Sequence, residues 1–349
     1  LIQTNVDWLR SLIVDGIVGG VLSVVGFVPQ IMILFGCISV LEASGYMSRI
    51  AFITDRLLNK IGLGGRSFVS IILGCGCSVP AITATRAIKN VKERNCTITL
   101  TPFMPCSAKL AIIAFFTSYL LNGSVLFAIS FYLTSILSVI AGGLLLKFLS
   151  RKKQTAEDAF IMELPEYRAP TLTNVVKQMT DRGKAFLIKA GTIILLSSII
   201  LWFLQRFNFK LETATADTSI LSQIGKFISP IFIPLGWGDK GYCWQYSVAT
   251  LTGISAKETV VTTLEMLLSD SLQNSISPLG AYSFVTYNIL TVPCAAAISA
   301  SFTEQGGFKK GIKSVAFQIV FAYAVSLMIY QTGTFAKNNA SSLLITAIV

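Results

Sequence analysis

Three short stretches of this chain hold residues whose types and spacing could do chemistry. The first is Gly74-Cys75-Gly76-Cys77-Ser78-Val79-Pro80-Ala81. Glycine lets backbones approach closely and proline lacks an N–H donor, so a turn here frees carbonyls to point at an ion. Cys77 offers a soft ligand beside them. The second is Pro102-Phe103-Met104-Pro105-Cys106-Ser107-Ala108-Lys109. Two prolines three apart disrupt a helical ladder, and Cys106 falls in the gap with the Met104 thioether nearby. Lys109 is suited to snorkel or to neutralise a carbonyl cluster. The third is Thr252-Gly253-Ile254-Ser255-Ala256-Lys257-Glu258. An ionisable residue inside an apolar segment is costly and marks a functional site by default. Glu258 supplies a hard oxygen ligand or a proton acceptor.

Each stretch also has a purely structural reading. The small residues could fit a helix-packing kink, with the thiols acting as small hydrophobes. Met104 could fill a core gap, and Lys257 or Glu258 could belong to an ion pair within a bundle. Glu42, near the end of its helix, reads as an interfacial capping or packing residue. Cys37 and Cys243 read as packing residues.

The chain has seven cysteines and no histidine. Cys37, Cys75, Cys77, Cys106 and Cys294 lie inside apolar runs, where a disulfide framework is not the default, and the spacing does not match a zinc finger. Thiols combined with one glutamate suit a borderline-soft divalent cation such as Fe²⁺, Mn²⁺ or Zn²⁺ better than Mg²⁺ or a sugar. The residues do not separate Fe²⁺ from the other two.

The elements that must position these residues follow from charge spacing. Of 349 residues, 53% are hydrophobic and only 13% charged, against about 25% charged in a soluble domain. Residues 16–41, 67–85, 110–146, 190–205, 271–303 and 314–336 contain no charge. A spanning helix needs about 20 mostly apolar residues, and several of these runs are long enough. The run 110–146 would be about 55 Å long as one helix, so it must fold back, and Asn122-Gly123 is the natural turn. The net charge is +11, carried in short connections between apolar runs. That is the positive-inside pattern rather than a nucleic-acid stripe, and anionic membrane lipids are the simpler partner.

The fold class is therefore an all-α polytopic membrane protein, with about 8 spanning helices and two re-entrant or broken helical hairpins. Helices are expected at 11–28 and 29–48, with Pro29 at the join, then at 97–121, 124–147, 186–205, 282–303 and 314–333. Basic residues flank both ends of 67–85, which a hairpin returning to its own side explains, provided protein shields its backbone from lipid. The broken stretch 243–268 is followed by 271–281, which lacks Lys and Arg and reads as external. Residues 1–147 form a first gate repeat and 148–185 a cytoplasmic basic linker, part of which (171–185) could be an interfacial amphipathic helix. Residues 186–333 form a second gate repeat and 334–349 a C-terminal tail. The region 206–240 reads as external with a short dipping segment.

Met104-Pro105-Cys106-Ser107-Ala108 and Val292-Pro293-Cys294-Ala295-Ala296 follow the first and second interruptions, 188 residues apart. Gly76-Cys77-Ser78 likewise matches Gly253-Ile254-Ser255. Hairpins entering from opposite faces are the signature of a pseudo-inverted repeat, and interrupted helices in matching positions point to a transport site.

At these motifs the chain resembles the ferrous iron transport protein B family. Gly76-Cys77-Ser78-Val79-Pro80-Ala81-Ile82 with Ala84-Thr85-Arg86 resembles the first gate motif, and Pro102 to Ala108 its partner. Ala256-Lys257-Glu258-Thr259-Val260-Val261 and Pro293-Cys294-Ala295-Ala296 resemble the second gate. Phe27-Val28-Pro29-Gln30 through Glu42-Ala43-Ser44-Gly45-Tyr46-Met47 also fits, although Ala43 stands where the family more often has an acidic residue. The resemblance runs over about 10–333. It implies Fe²⁺ uptake across a bacterial cytoplasmic (inner) membrane, with Fe²⁺ as the transported substrate rather than a permanently bound cofactor. It also implies gate domains similar to those of nucleoside transporters, an amino-terminal GTPase domain, and small cytoplasmic accessory proteins as partners. No Gly-x-x-x-x-Gly-Lys-Ser/Thr occurs, and Gly62-Leu63-Gly64-Gly65-Arg66-Ser67 lacks the lysine and spacing of a phosphate loop, so no enzymatic activity is expected of this chain. It begins at Leu1 without a signal-peptide layout, which fits a piece of a longer protein.

The expected function is a divalent-metal permease, most readily for Fe²⁺, with Cys77, Cys106, Glu258 and Cys294 as metal ligands along the path. The competing reading is an organic-solute, nucleoside-type, cation-coupled carrier whose hairpin backbone holds the solute. A third is a membrane scaffold for a GTPase partner. Homo-oligomerisation is compatible with all three.

Overall fold

The computed structural model describes residues 12–119, 123–149, 169–208, 218–268 and 274–348, with the single positions 167, 210 and 212. Arg151-Lys152-Lys153 and Asn122 lie outside the described residues. Fourteen α-helices occur among those described. They divide into two compact units, each assembled from separated pieces of chain. Among the described residues, six helical stretches are long and apolar enough to cross a membrane: 16–43, 91–119, 125–149, 172–206, 278–304 and 308–336. The chain is a multi-pass membrane protein.

The first unit holds residues up to Cys106, Val139–Phe203 and Ala295–Ser314. It opens with α1 (Gly19–Ala43), preceded by a π-helical turn. Pro29 lies inside α1 rather than at a break. It is exposed on the unit's surface. The chain turns instead at Gly45, whose φ of 78° is left-handed and free of strain only for glycine. Helices α2 (Tyr46–Leu58), α3 (Gly65–Leu73), α4 (Ser78–Ala84) and α5 (Val91–Leu100) follow.

Helices α2 and α3 pack face to face. A Cβ on Gly65 would sit 1.7 Å from the Ala51 carbonyl oxygen, so only glycine allows this approach. The α3 N-terminus leaves unsatisfied N–H groups and partial positive charge. Two carboxylates answer it: Asp55 accepts from Gly65 N at 2.8 Å, and Glu93 from Gly64 N at 2.9 Å and Ser67 Oγ at 2.6 Å. The long helix α8 (Leu172–Arg206) is continuous, so the expected interfacial segment 171–185 and spanning segment 186–205 are one rod. It runs antiparallel to α1. A Cβ on Gly20 would meet Ser198, one on Gly36 would meet Met179, and one on Gly183 would meet Met32. Ser39 donates to Gln178 at 2.8 Å. Small residues at close crossings, with polar links between them, hold helices together where lipid supplies no hydrophobic drive.

The second unit holds Ser107–Ser138, Leu204–Cys294 and Val315–Val349. It contains α6 (Ser107–Tyr119), the first part of α7 (Val125–Leu149), α9 (Ile220–Phe232), α10 (Cys243–Thr252), α11 (Thr259–Leu268) and α12 (Pro278–Leu290). The fold-back expected within 110–146 falls between α6 and α7, where Gly123 has a φ of 67°. An aromatic cluster fills the interior: Trp237 stacks on Phe232 at 4.4 Å and meets Phe284 edge-on at 4.9 Å, and Tyr246 meets Phe284 at 5.1 Å. The close of α14 (Phe308–Ile348) also lies here, so the stretch expected as a tail from 334 is helical backbone through 348. Gly236, with φ 82°, leaves the space that the Tyr330 ring occupies, and Tyr330 donates to Asp239 at 2.9 Å. Helix α13 (Ala295–Glu304) belongs to the first unit.

Candidate functional site

In the first unit the interruption falls where the glycines and Pro80 require it. Helix α3 ends in a run of tight turns, with Cys75 N donating to Ile72 O at 2.9 Å, Gly76 N to Leu73 O at 3.1 Å and Cys77 N to Leu73 O at 3.2 Å. Cys77 is then fully extended (φ −153°, ψ 131°), and α4 starts at the next residue. A Cβ on Gly76 would lie 2.6 Å from Leu34, so α1 presses on this turn.

The second interruption of the unit begins at Thr101. One 3₁₀ turn, Thr101–Phe103, leads to Met104 in extended conformation (ψ 137°), and Cys106 ends the gap. The helix expected across 97–121 is thus two helices, α5 and α6, because Pro105 cannot donate and disfavours helix at Met104. The two interruptions touch. A Cβ on Gly74 would be 3.1 Å from the Thr101 carbonyl oxygen. Cys77 and Cys106 are both half-buried.

The second unit also holds two helix interruptions. Helix α10 ends at Thr252, and Gly253 to Glu258 form successive turns before α11. Thr252 and Thr263 share a hydrogen bond of 3.0 Å across the hairpin. Lys257 is 1% exposed and Glu258 half-buried. Helix α12 stops at Leu290, and Thr291–Cys294 are non-helical before α13. The expected single helix 282–303 is broken there because Pro293 supplies no donor and biases Val292 away from helix. Buried Asn288 donates to Phe284 O at 3.1 Å and to Thr250 Oγ1 at 3.5 Å, tying this break to the hairpin. Fully buried Lys109 donates to the Ile289 carbonyl at 2.5 Å. Its ammonium therefore neutralises one of the carbonyls left over at the end of α12.

Cys77 and Cys106 thus belong to the first unit, and Glu258 and Cys294 to the second. Among the described residues, no three His, Cys, Asp or Glu side chains gather in a metal-holding arrangement. Cys243 is buried, with its thiol on Ser229 O at 3.2 Å, as packing residues are; Cys37 is exposed on α1. Glu42 is no helix cap but pairs with Arg182 at 2.7 Å. One pairing went unread in the sequence: Arg86 holds Glu304 through both carboxylate oxygens, Nε lying 2.9 and 2.8 Å away. The signal was present, since Arg86 and Glu304 each close a charge-free run, 67–85 and 271–303.

The chain matches the family model described as Gate, nucleoside recognition, over residues 24–120 and 187–308. It matches the model of the ferrous iron transport protein B C terminus over 126–182. The chain belongs to the ferrous iron transport protein B family. Curated ferrous iron transport protein B relatives cover nearly all of it. The Fe(2+) transporter FeoB of Staphylococcus aureus (strain COL) is 36% identical over 337 residues, 94% of this chain and 50% of that protein. The FeoB of Methanocaldococcus jannaschii is 38% identical over 348 residues, 93% of this chain and 50% of that protein. A Porphyromonas gingivalis protein named Fe(2+) transport protein A/Fe(2+) transporter FeoB fusion protein is 33% identical, over 93% of this chain and 44% of its own length. The chain spans about half the length of the curated relatives it matches. No solved structure matches it.

Proposed function

We propose that this chain is the membrane permease portion of a ferrous iron transporter, moving Fe²⁺ toward the cytoplasm along a path lined by Cys77, Cys106, Glu258 and Cys294. The observation that carries this reading is a cysteine at a helix interruption in each unit, in a chain of the ferrous iron transport protein B family. Cys77 precedes α4, and Cys106 and Cys294 precede α6 and α13. A residue just ahead of a helix has non-helical backbone, so its thiol and the neighbouring carbonyls serve one ligand together. Thiolate and carboxylate donors suit a borderline-soft divalent ion, and a permeating ion needs weak, successive ligand sets rather than a closed cage.

The matching series of broken hairpin and broken helix supports a pseudo-inverted repeat, with the hairpins entering from opposite faces of a bacterial inner membrane. A GTPase domain, in the same protein or separate, would supply the switch, and the fused Porphyromonas relative makes a small accessory partner reasonable.

Proteoliposomes holding the chain should take up Fe²⁺. The Cys77→Ser/Cys106→Ser pair should lower the initial rate by about tenfold, the cost of roughly 1.4 kcal/mol in lost ligand binding. Uptake unchanged in the double variant would refute thiol ligation. Uptake inhibited by nucleosides and indifferent to chelators would favour the organic-solute carrier.

A further inference from the structure

The first unit contains a cavity of about 920 Å³, at the upper end of the size of ligand pockets. Neither the cysteines nor Glu258 line it. Its walls are apolar and come from four directions: Phe35 and Ile38 of α1, Leu73 of α3, Val79 and Pro80 at the start of α4, and Phe186 of α8. Among the described residues, five charged ones line it, namely Glu42, Arg66, Arg86, Arg182 and Glu304.

The charges decide what could enter. Glu42 is paired with Arg182, and both oxygens of Glu304 are engaged by Arg86. Arg66, whose guanidinium donates to Ala87 O at 2.8 Å, adds a third positive charge against two negative ones. The Glu304 side chain is only 6% exposed while that of Arg86 is 64% exposed, so the carboxylate lies behind and the guanidinium faces outward. A metal cation meets neutralised carboxylates and three guanidinium groups here. An anion with a long apolar tail meets the opposite: guanidinium groups for its head and hydrocarbon walls for its chain. Arg66 and Arg86 also belong to the connections rich in Lys and Arg, which orient toward the cytoplasmic leaflet. Basic pockets between helices on that side hold anionic headgroups.

We propose that this cavity binds one anionic phospholipid, its phosphate at Arg66, Arg86 and Arg182 and one acyl chain between α1, α4 and α8. Occupancy would bridge α8 to the first broken hairpin, whose α4 forms one wall. The site is independent of which solute the protein moves.

The test is native mass spectrometry of the full chain in detergent micelles doped with phosphatidylglycerol or phosphatidylcholine. Phosphatidylglycerol should be retained as one adduct per chain, and phosphatidylcholine should not. Arg66→Gln/Arg182→Gln should weaken retention by about 25-fold, or about fivefold per arginine. Ala185→Phe, a change at an exposed cavity-lining position of α8, should reduce retention while leaving all three arginines in place. Equal retention of both lipids would overturn the headgroup assignment. Unchanged retention in Ala185→Phe would overturn the cavity as the seat of the chain. Displacement by inorganic phosphate at matched concentration would show a free-anion site and refute a lipid one.

Discussion

Arg86 and Glu304 are 218 positions apart, and their pairing shows what one residue can decide. Glu304 is nearly buried, and both its oxygens are held by the guanidinium. Replacing Arg86 by Gln should leave the carboxylate poorly compensated and cost about 2 kcal/mol, in the range for a lost charge-assisted bond. The Arg86→Gln/Glu304→Gln pair should recover part of that loss. Thermal unfolding of the four members of this cycle in detergent checks it, and strictly additive losses would mean that the two residues do not interact. Gly65 makes a sharper case. Its missing side chain would overlap the Ala51 carbonyl, so Gly65→Ala must push α2 from α3. A loss of about 3 kcal/mol is expected, read as a lowered unfolding temperature; a variant as stable as the parent would show that the crossing can relax. Pairings of this kind were hidden in the sequence because they join residues far apart in the chain. Spacing reports only neighbours within a turn or two. What was legible was the unusual position of each charge at the end of an apolar run.

At the scale of elements, the interruptions were the most legible feature. The first break falls at Gly74 to Cys77, among paired glycines and just ahead of Pro80, the second runs from Gly253 to Glu258, and Pro105 and Pro293 break the helices that follow. Pro29 misled because a lone proline forfeits one hydrogen bond without forcing the chain to turn, and surrounding structure tolerates it inside membrane helices. The turn came from Gly45, which supplies the left-handed backbone. Lys109 binds two elements of the second unit, the start of α6 and the end of α12. Lys109→Met should keep the apolar stem but leave the Ile289 carbonyl without its ammonium, costing about 2 kcal/mol. Lys109→Arg should not substitute, because a planar fork does not fit a place shaped for a compact ammonium. Unfolding curves for the two variants test this, and a Met variant of parental stability would show that the bond contributes nothing net.

At the scale of the molecule, charge spacing was enough to read a multi-pass membrane protein. It did not reveal how the chain is shared between its two compact units. The first unit ends its opening segment at Cys106 and begins its last one at Ala295, each directly beside a Pro-Cys break, with Val139–Phe203 between them. A linear reading assigns segments in order and does not see such an exchange. The whole chain also lacks a phosphate loop, so purified alone it should release no phosphate from GTP above the buffer rate. A phosphate-release assay settles that, and steady turnover would demand a nucleotide site built from other residues.

Helix α8 contains 35 residues, about 52 Å of rod, whereas the hydrocarbon core is about 30 Å thick. Roughly 20 Å of it must therefore stand clear of the lipid tails. Gln178 and Arg182, near its start, are fastened to Ser39 and Glu42 of α1. The protruding end is a lever arm with its coupling already attached. A load applied in the water near residue 172 reaches α1 within three turns of helix, and from α1, through Leu34, it reaches the turn that carries Cys77.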